Sequence, residues 1–152
     1  MSKETLEREL IIEAAPGQVW ANLVDVPRVA GWLPFLHTIV EHDRLETYSA
    51  VLEDKVGPFA MRADLDISVI ELDVERSIVV KAAGEDRAVR SRITIDAELR
   101  IAPREDGFSD VHVGGTYEVT GKVATLGAGL IRSKARKMVD EFCIAAQQGL
   151  CA

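Results

Sequence analysis

From His37 to about Thr120, apolar residues recur at every second position, and this pattern restricts the chain more than any other. In "FAMRADLDISV" the odd positions Phe59, Met61, Ala63, Leu65, Ile67 and Val69 share one face, while Arg62, Asp64, Asp66 and Ser68 share the other. "SRITIDAELRI" repeats it, with Ile93, Ile95, Ala97, Leu99 and Ile101 set against Arg92, Thr94, Asp96, Glu98 and Arg100. Successive side chains of a strand point to opposite sides, so each strand has one buried and one wet face. Strands are expected at about 38–44, 47–56, 59–72, 77–83, 88–102 and 109–120, with turns at "VGP", "GED" and "REDG". Connections this short join antiparallel neighbours.

A sheet with a single apolar face needs a cover. The one segment long enough is a helix expected from Val123 to Gln148, roughly 40 Å at 1.5 Å per residue, around which the sheet must curl. On a helical wheel Ala124, Ala128, Ile131, Ala135, Met138, Val139, Phe142 and Ala146 form the stripe facing the sheet. Gly127 falls near that stripe, where a glycine marks close backbone approach, a bend, or space left for something else. Ahead of the sheet, "TLERELIIEA" reads as a first strand, with Leu6, Leu10 and Ile12 on one parity. "PGQVWANLVD" follows as a short helix opened by Pro16, and "PRVAGWLPFL" as a second helical turn that Gly31 and Pro34 keep short. Its Trp32, Leu33, Phe35 and Leu36 are the densest bulky apolar cluster in the chain. One domain over residues 1–152 accommodates all of this.

A net charge of −7 argues against a nucleic-acid partner, which needs a concentrated cationic face. "MSKETLERELIIEA" lacks the basic-then-apolar layout of a signal peptide, and no apolar run approaches the roughly 20 residues of a membrane span, so a cytoplasmic location is expected. Cys143 and Cys151 lack a second ligand pair and read as free thiols. The charge is unevenly spread: Lys122, Arg132, Lys134, Arg136 and Lys137 occupy a stretch with no acid. On the wheel Leu126 and Leu130 leave the core stripe and join Lys134 and Lys137. That apolar and basic surface, with Lys122, suits peripheral contact with an anionic membrane or an acidic partner.

Chemistry-bearing constellations are scarce. His37 and His42 are five apart in a strand, which sends them to opposite faces, and with His112 they read as edge or solvated residues; no metal site is expected. Asp64 and Asp66 lie on the wet face among arginines. "TGKVAT" lacks the glycine and the Ser/Thr of a phosphate loop, no Gly-x-Ser-x-Gly occurs, and no catalytic residue is assigned. Tyr48 and Tyr117 point inward by parity, with Ser91 a third candidate. An apolar interior with one or two hydroxyls suits holding a greasy ligand better than transforming one.

Strand, two short helices, six strands and a long C-terminal helix is the layout of the START-like (SRPBCC), helix-grip superfamily, an α+β class with a curved antiparallel sheet of six or seven strands around the last helix. Within it the sequence resembles the CoxG family of carbon monoxide dehydrogenase subunits through "APGQVWANLVDVPRVAGWLP", "YSAVLEDKVGPFAMRADLDISV" and "YEVTGKVATLGAGLIRSKARKMVDEF". The resemblance implies a non-catalytic accessory protein, without a cofactor of its own. It would be associated with a molybdenum-containing hydroxylase such as carbon monoxide dehydrogenase and linked to membrane attachment of that enzyme. The chain departs from many members in ending without a long proline-rich or hydrophobic tail and in having "ELDVERSIVV" where paired prolines are common. The alternative within the superfamily is a polyketide cyclase-like or hydrolase-like enzyme, which an inward acid–base pair would reveal. A lipid- or quinone-like ligand is expected in an apolar cavity lined by Phe59, Met61, Val113, Tyr117, Ile131, Ala135 and Met138. Trp32, Leu33, Phe35 and Leu36 are placed around its mouth on a segment able to move as a lid.

Overall fold

The structure is a computed structural model that describes residues 3–152; Met1 and Ser2 of the expected single domain lie outside it. Its strands are β1 (Glu4–Ile12), β2 (Leu36–Asp43), β3 (Thr47–Val56), β4 (Phe59–Asp73), β5 (Ser77–Asp86), β6 (Ser91–Pro103) and β7 (Ser109–Gly121). The helices are α1 (Pro16–Leu23), α2 (Val26–Ala30) and α3 (Ala128–Gly149), the last preceded by a short 3₁₀ turn at Val123–Leu126. All seven strands pair antiparallel in the order β1-β7-β6-β5-β4-β3-β2, a curved open sheet with α3 across its concave face. This is the fold class expected from the alternation.

Cross-strand register shows which residues share the concave face. Leu52 lies opposite Ala63, Leu65 opposite Gly84, Ile78 opposite Leu99, Ile95 opposite Tyr117 and Val111 opposite Leu10. The odd residues of β4 from Phe59 to Val69 and of β6 from Ser91 to Ile101 are therefore inward, as their parity requires, until a bulge after Val69 reverses the phase of β4; Asp64 and Asp66 stand exposed on the convex side.

Two boundaries differ from those the sequence pattern predicts. The first is β5, which runs on through Gly84, Glu85 and Asp86, a stretch expected to turn. The turn comes three residues later, at 87–90, which also moves the start of β6 from 88 to Ser91. Asp86, only 5% exposed, holds it, its carboxylate accepting the backbone N–H groups of Ala88, Val89 and, across the sheet, Arg62. The second is the final helix, which does not run unbroken from Val123. Gly127, at φ 96°, separates the 3₁₀ turn from α3, a conformation that costs a glycine little and other residues much. The wheel drawn through residue 124 is therefore out of phase at its start. Ala128 is exposed, and Leu126 packs on apolar residues of β3 and β4 instead of joining the outer surface.

The far end of α3 is anchored tightly. Phe142, Cys143, Ala146 and Leu150 are buried against Leu10 and Ile12 of β1, Val19 and Leu23 of α1, and Leu99, Ile101 and Val111. A fully buried side chain such as Leu150 contributes roughly 2–3 kcal/mol. Polar groups close the same end. The Asn22 amide donates to the carbonyls of Leu150 and Ala152, the Gln18 amide to those of Cys151 and Ala152, and the Arg28 guanidinium to that of Gly149. Carbonyls that a helix leaves unpaired at its C-terminus thus find donors on α1 and α2.

Trp32 lies in this end, its ring centroid 6.0 Å from that of Phe142. It fits because residue 149 has no side chain: a Cβ there would sit 2.0 Å from the indole. Gly→Ala inside a helix ordinarily stabilises by about 1 kcal/mol. Gly149→Ala should instead destabilise, by about 1–3 kcal/mol of overpacking, read as a lower urea midpoint; a raised midpoint would contradict the Trp32 contact.

Candidate functional site

The apolar interior is two clusters, not one. The first is the anchored end of α3 just described. The second gathers Leu52, Met61, Ala63, Leu65 and Val123, with Phe35, Leu36, Val56, Phe59, Ile67, Ile93, Val119 and Leu126 packed on them. Between them lies a band of concave-face residues belonging to neither, including Ala82, Ile95, Ala97, Gly115 and Tyr117 on the sheet and Ile131, Ala135 and Met138 on α3. Each is apolar or nearly so, yet each is only half-buried and keeps some accessible surface. The cause is residue size. Ala82, Ala97 and Gly115 are small where the helix crosses, and Ala135 is small on the helix. A Cβ built on Gly115 would meet only Asp96 and Ala97 of the neighbouring strand, with no helix atom among the nearest. These small side chains leave the apolar band under the first half of α3, the trough, less completely covered than the clusters on either side.

Apolar packing is concentrated in the second half of α3; in the first, Leu130 rests on the β3–β4 turn and ion pairs add to it. Arg132 reaches Glu4 of β1 at 2.9 Å, and Lys134 reaches Asp54 of β3 at 3.0 Å. Midway along the helix Asp140 receives Arg8 at 3.0 Å. The helix is thus tied to both sides of the sheet by partly exposed ion pairs, which are individually weak beside the burial of Phe142 or Leu150. Glu4 and Arg8 share the parity of Leu6, Leu10 and Ile12, and Asp54 that of Tyr48, Ala50 and Leu52. A reading of those rows for their apolar members passes over these three. Parity alone carries the signal.

Tyr117 is the polar group inside the trough. Its hydroxyl is buried and, among the described residues, is the buried side-chain oxygen or nitrogen without a hydrogen-bond partner. Burial, with the Glu4 carboxylate nearby, pushes the phenol up, so it stays neutral and keeps a proton to donate. Tyr48, also inward, differs: its hydroxyl accepts the Leu45 N–H at 2.7 Å and donates to Glu41 at 3.3 Å. Ser91 is likewise used locally, donating to the Val89 carbonyl and accepting the Val123 N–H.

Of the expected cavity residues, Tyr117, Ile131, Ala135 and Met138 fall in the half-buried band, Val113 in the first cluster, and Met61 in the second with Phe59 packed on it. The bulky quartet does not gather at one mouth. Trp32 and Leu33 pack on the first cluster, and Phe35 and Leu36 belong to the second, because the segment crosses from one to the other. The expected docking residues are spread as well. Leu126 and Leu130 lean on the β3–β4 turn, where a Cβ on Gly57 would meet them at 3.1 and 3.4 Å. Lys122 stands 5.8 Å from the Phe59 ring centroid, Lys134 is ion-paired, and Leu130 is 45% exposed, with the open Lys137 two turns further along the helix. Both cysteines are free, and none of the described helices is long and apolar enough to cross a membrane.

The Arg132 hydrogen bonds hold the Glu4 carboxyl below the ordinary carboxylate range. A pKa lowered on folding contributes stability above the unfolded value, and that contribution is lost as pH falls through the folded one. The stability difference between the native chain and Glu4→Gln, read by urea unfolding, should be largest near neutral pH and close in acid. A difference that stays constant with pH would contradict the pairing.

Comparison with known proteins places this geometry. A conserved protein from Geobacillus kaustophilus superimposes with a TM-score of 0.83 at 16% identity, covering 97% of this chain and 95% of that one. The Zhui aromatase/cyclase from Streptomyces superimposes with a TM-score of 0.67 at 13% identity, covering 99% and 92%. Identities this low show the helix-grip fold alone. No curated protein matches the sequence. The model of the CoxG family of carbon monoxide dehydrogenase subunits matches residues 9–151, and the chain belongs to that family.

Proposed function

For this member of the CoxG family, we propose a non-catalytic accessory role: binding a lipid- or quinone-like molecule in the trough beneath α3. The observation that carries it is the half-buried apolar band between two well-packed clusters, with the unpartnered Tyr117 hydroxyl inside it. Left empty or wet, such a band forgoes roughly 25 cal/mol for each Å² of apolar surface that an apolar ligand would cover. One donor in an apolar channel fits a molecule with a long apolar body and a single acceptor oxygen, since few polar groups fix the orientation of such a ligand.

A molybdenum-containing dehydrogenase passes on electrons, and a lipid-soluble acceptor serves a redox enzyme working beside a membrane. A quinone is therefore the ligand we favour within this class, and such a dehydrogenase the partner. Contact with the membrane would use the surface where Leu130 is exposed, with Lys137 two turns further along the same helix and Lys122 ahead of it, apolar and basic together.

The test uses anionic vesicles loaded with a long-chain quinone. After incubation and removal of the vesicles, the protein should retain about one quinone per chain by this stoichiometric reading of one trough. Ala135→Leu, which fills the trough, should lose retention at least tenfold without lowering the thermal midpoint. Leu130→Ser with Lys137→Glu should slow uptake from vesicles while leaving the affinity in detergent unchanged. If the native chain retains no quinone, and Ala135→Leu is destabilised by the 1–3 kcal/mol expected of an overpacked interior, the interior is full and the reading fails.

A further inference from the structure

A second site stands apart from the trough. The turn between β5 and β6, with the end of β7, forms a depression of about 360 Å³ whose lining includes Arg87, Arg90, Arg92 and Thr120, with Glu85 and Asp86 beside them. Arg92, the second residue of β6, and Arg90, the last residue of the turn before it, both line the depression, on either side of the inward Ser91. Register sets Thr120 of β7 directly opposite Arg92.

The turn that carries them is firmly built. Asp86 ties together three backbone N–H groups, the Ser91 hydroxyl joins Val89 to Val123, and the Arg90 carbonyl accepts the Lys122 N–H at 3.1 Å. Arg90 itself sits at φ 47°, a region few non-glycine residues occupy. These bonds occupy oxygens of the nearby acids while leaving their charge in place, and register sets Glu85 opposite Arg92. The Asp86 carboxylate is engaged with backbone donors, and Glu85 turns to Arg87 at 3.5 Å. Arg8, Arg100, Arg104 and Arg132 are met by carboxylates within 3.0 Å, whereas Arg28, Arg44, Arg76 and Arg136, like Arg90 and Arg92, are in no ion pair among the described residues. Arg90 and Arg92 have no side-chain hydrogen bond or ion pair among the described residues, though the chain as a whole is acidic.

We propose that this depression binds a phosphate group, carried either by a soluble phosphate ester or by a phospholipid head. A guanidinium offers paired N–H donors matched to two oxygens of one anion, and a phosphate dianion supplies three oxygens for Arg90, Arg92 and the Thr120 hydroxyl. A carboxylate has only two. The volume leaves room for the group to which the phosphate is attached. The site is independent of whether the trough holds a ligand.

The experiment is an amide NMR titration of the full chain with inorganic pyrophosphate and with glycerol 3-phosphate, followed by co-sedimentation with vesicles containing phosphatidate. Saturable shifts are expected at Arg90–Arg92 and at Thr120 and Gly121. Affinity should fall at least tenfold in Arg90→Ala/Arg92→Ala and stay unchanged in Arg100→Ala. Arg90→Lys/Arg92→Lys keeps the charge and should still weaken binding several-fold, because the forked geometry is lost. Vesicle binding that glycerol 3-phosphate competes away assigns the phosphate to a lipid head; binding of the soluble ester with no vesicle association assigns it to a soluble one. The absence of saturable shifts at millimolar anion, or lysine variants that bind as well as the native chain, would overturn the proposal.

Discussion

A sheet of seven strands with one apolar face cannot leave that face in water, and here a single helix has to cover it. The geometry of that covering governs the rest. α3 packs closely at one end, where Phe142, Ala146 and Leu150 meet α1, β1 and the ends of β6 and β7. At its other end it faces small residues, and ion pairs to Glu4 and Asp54 add to the contact of Leu130 with the β3–β4 turn. Burial is concentrated at the first of these ends, and the second is less completely covered.

That division gives the two halves of α3 different physical characters. The anchored half is a core in the ordinary sense, closed by Trp32 over Gly149 and by amide donors from α1. The tethered half begins at Gly127, is bounded by leucines resting on the β3–β4 turn, and faces a band of alanine and glycine. Interiors are normally packed to crystal-like density, so an apolar band that keeps accessible surface stands out from the rest of the molecule. Its one unpartnered hydroxyl, on Tyr117, stands out in the same way, since buried polar groups are nearly always paired.

Much of the architecture is legible in the sequence because a period of two over some eighty residues admits few alternatives. The strands β3, β4 and β7 fall within a residue or two of where alternation puts them. Legibility fails where a side chain, not a period, decides the outcome. Asp86 moves the β5–β6 turn by accepting three N–H groups, and Gly127 breaks a helix that a wheel treats as continuous. Tyr117, Ile131, Ala135 and Met138 can be placed on the trough from parity and helical phase alone. The split of Trp32 and Leu33 from Phe35 and Leu36 cannot, because it depends on which cluster each reaches after Pro34. Glu4, Arg8 and Asp54 stand in the right rows, and escape notice because inward rows are read for their apolar members.

Membership of the CoxG family and the helix-grip likenesses agree with this geometry. The central claim beyond them is that the interior between the two clusters is made to hold an apolar molecule. Native mass spectrometry of freshly purified protein addresses it most directly. The account predicts a population heavier than the chain by the mass of one lipid-like molecule, released on denaturation in organic solvent and restored by incubation with a long-chain quinone. A spectrum showing only the bare chain, both as purified and after that incubation, would contradict it.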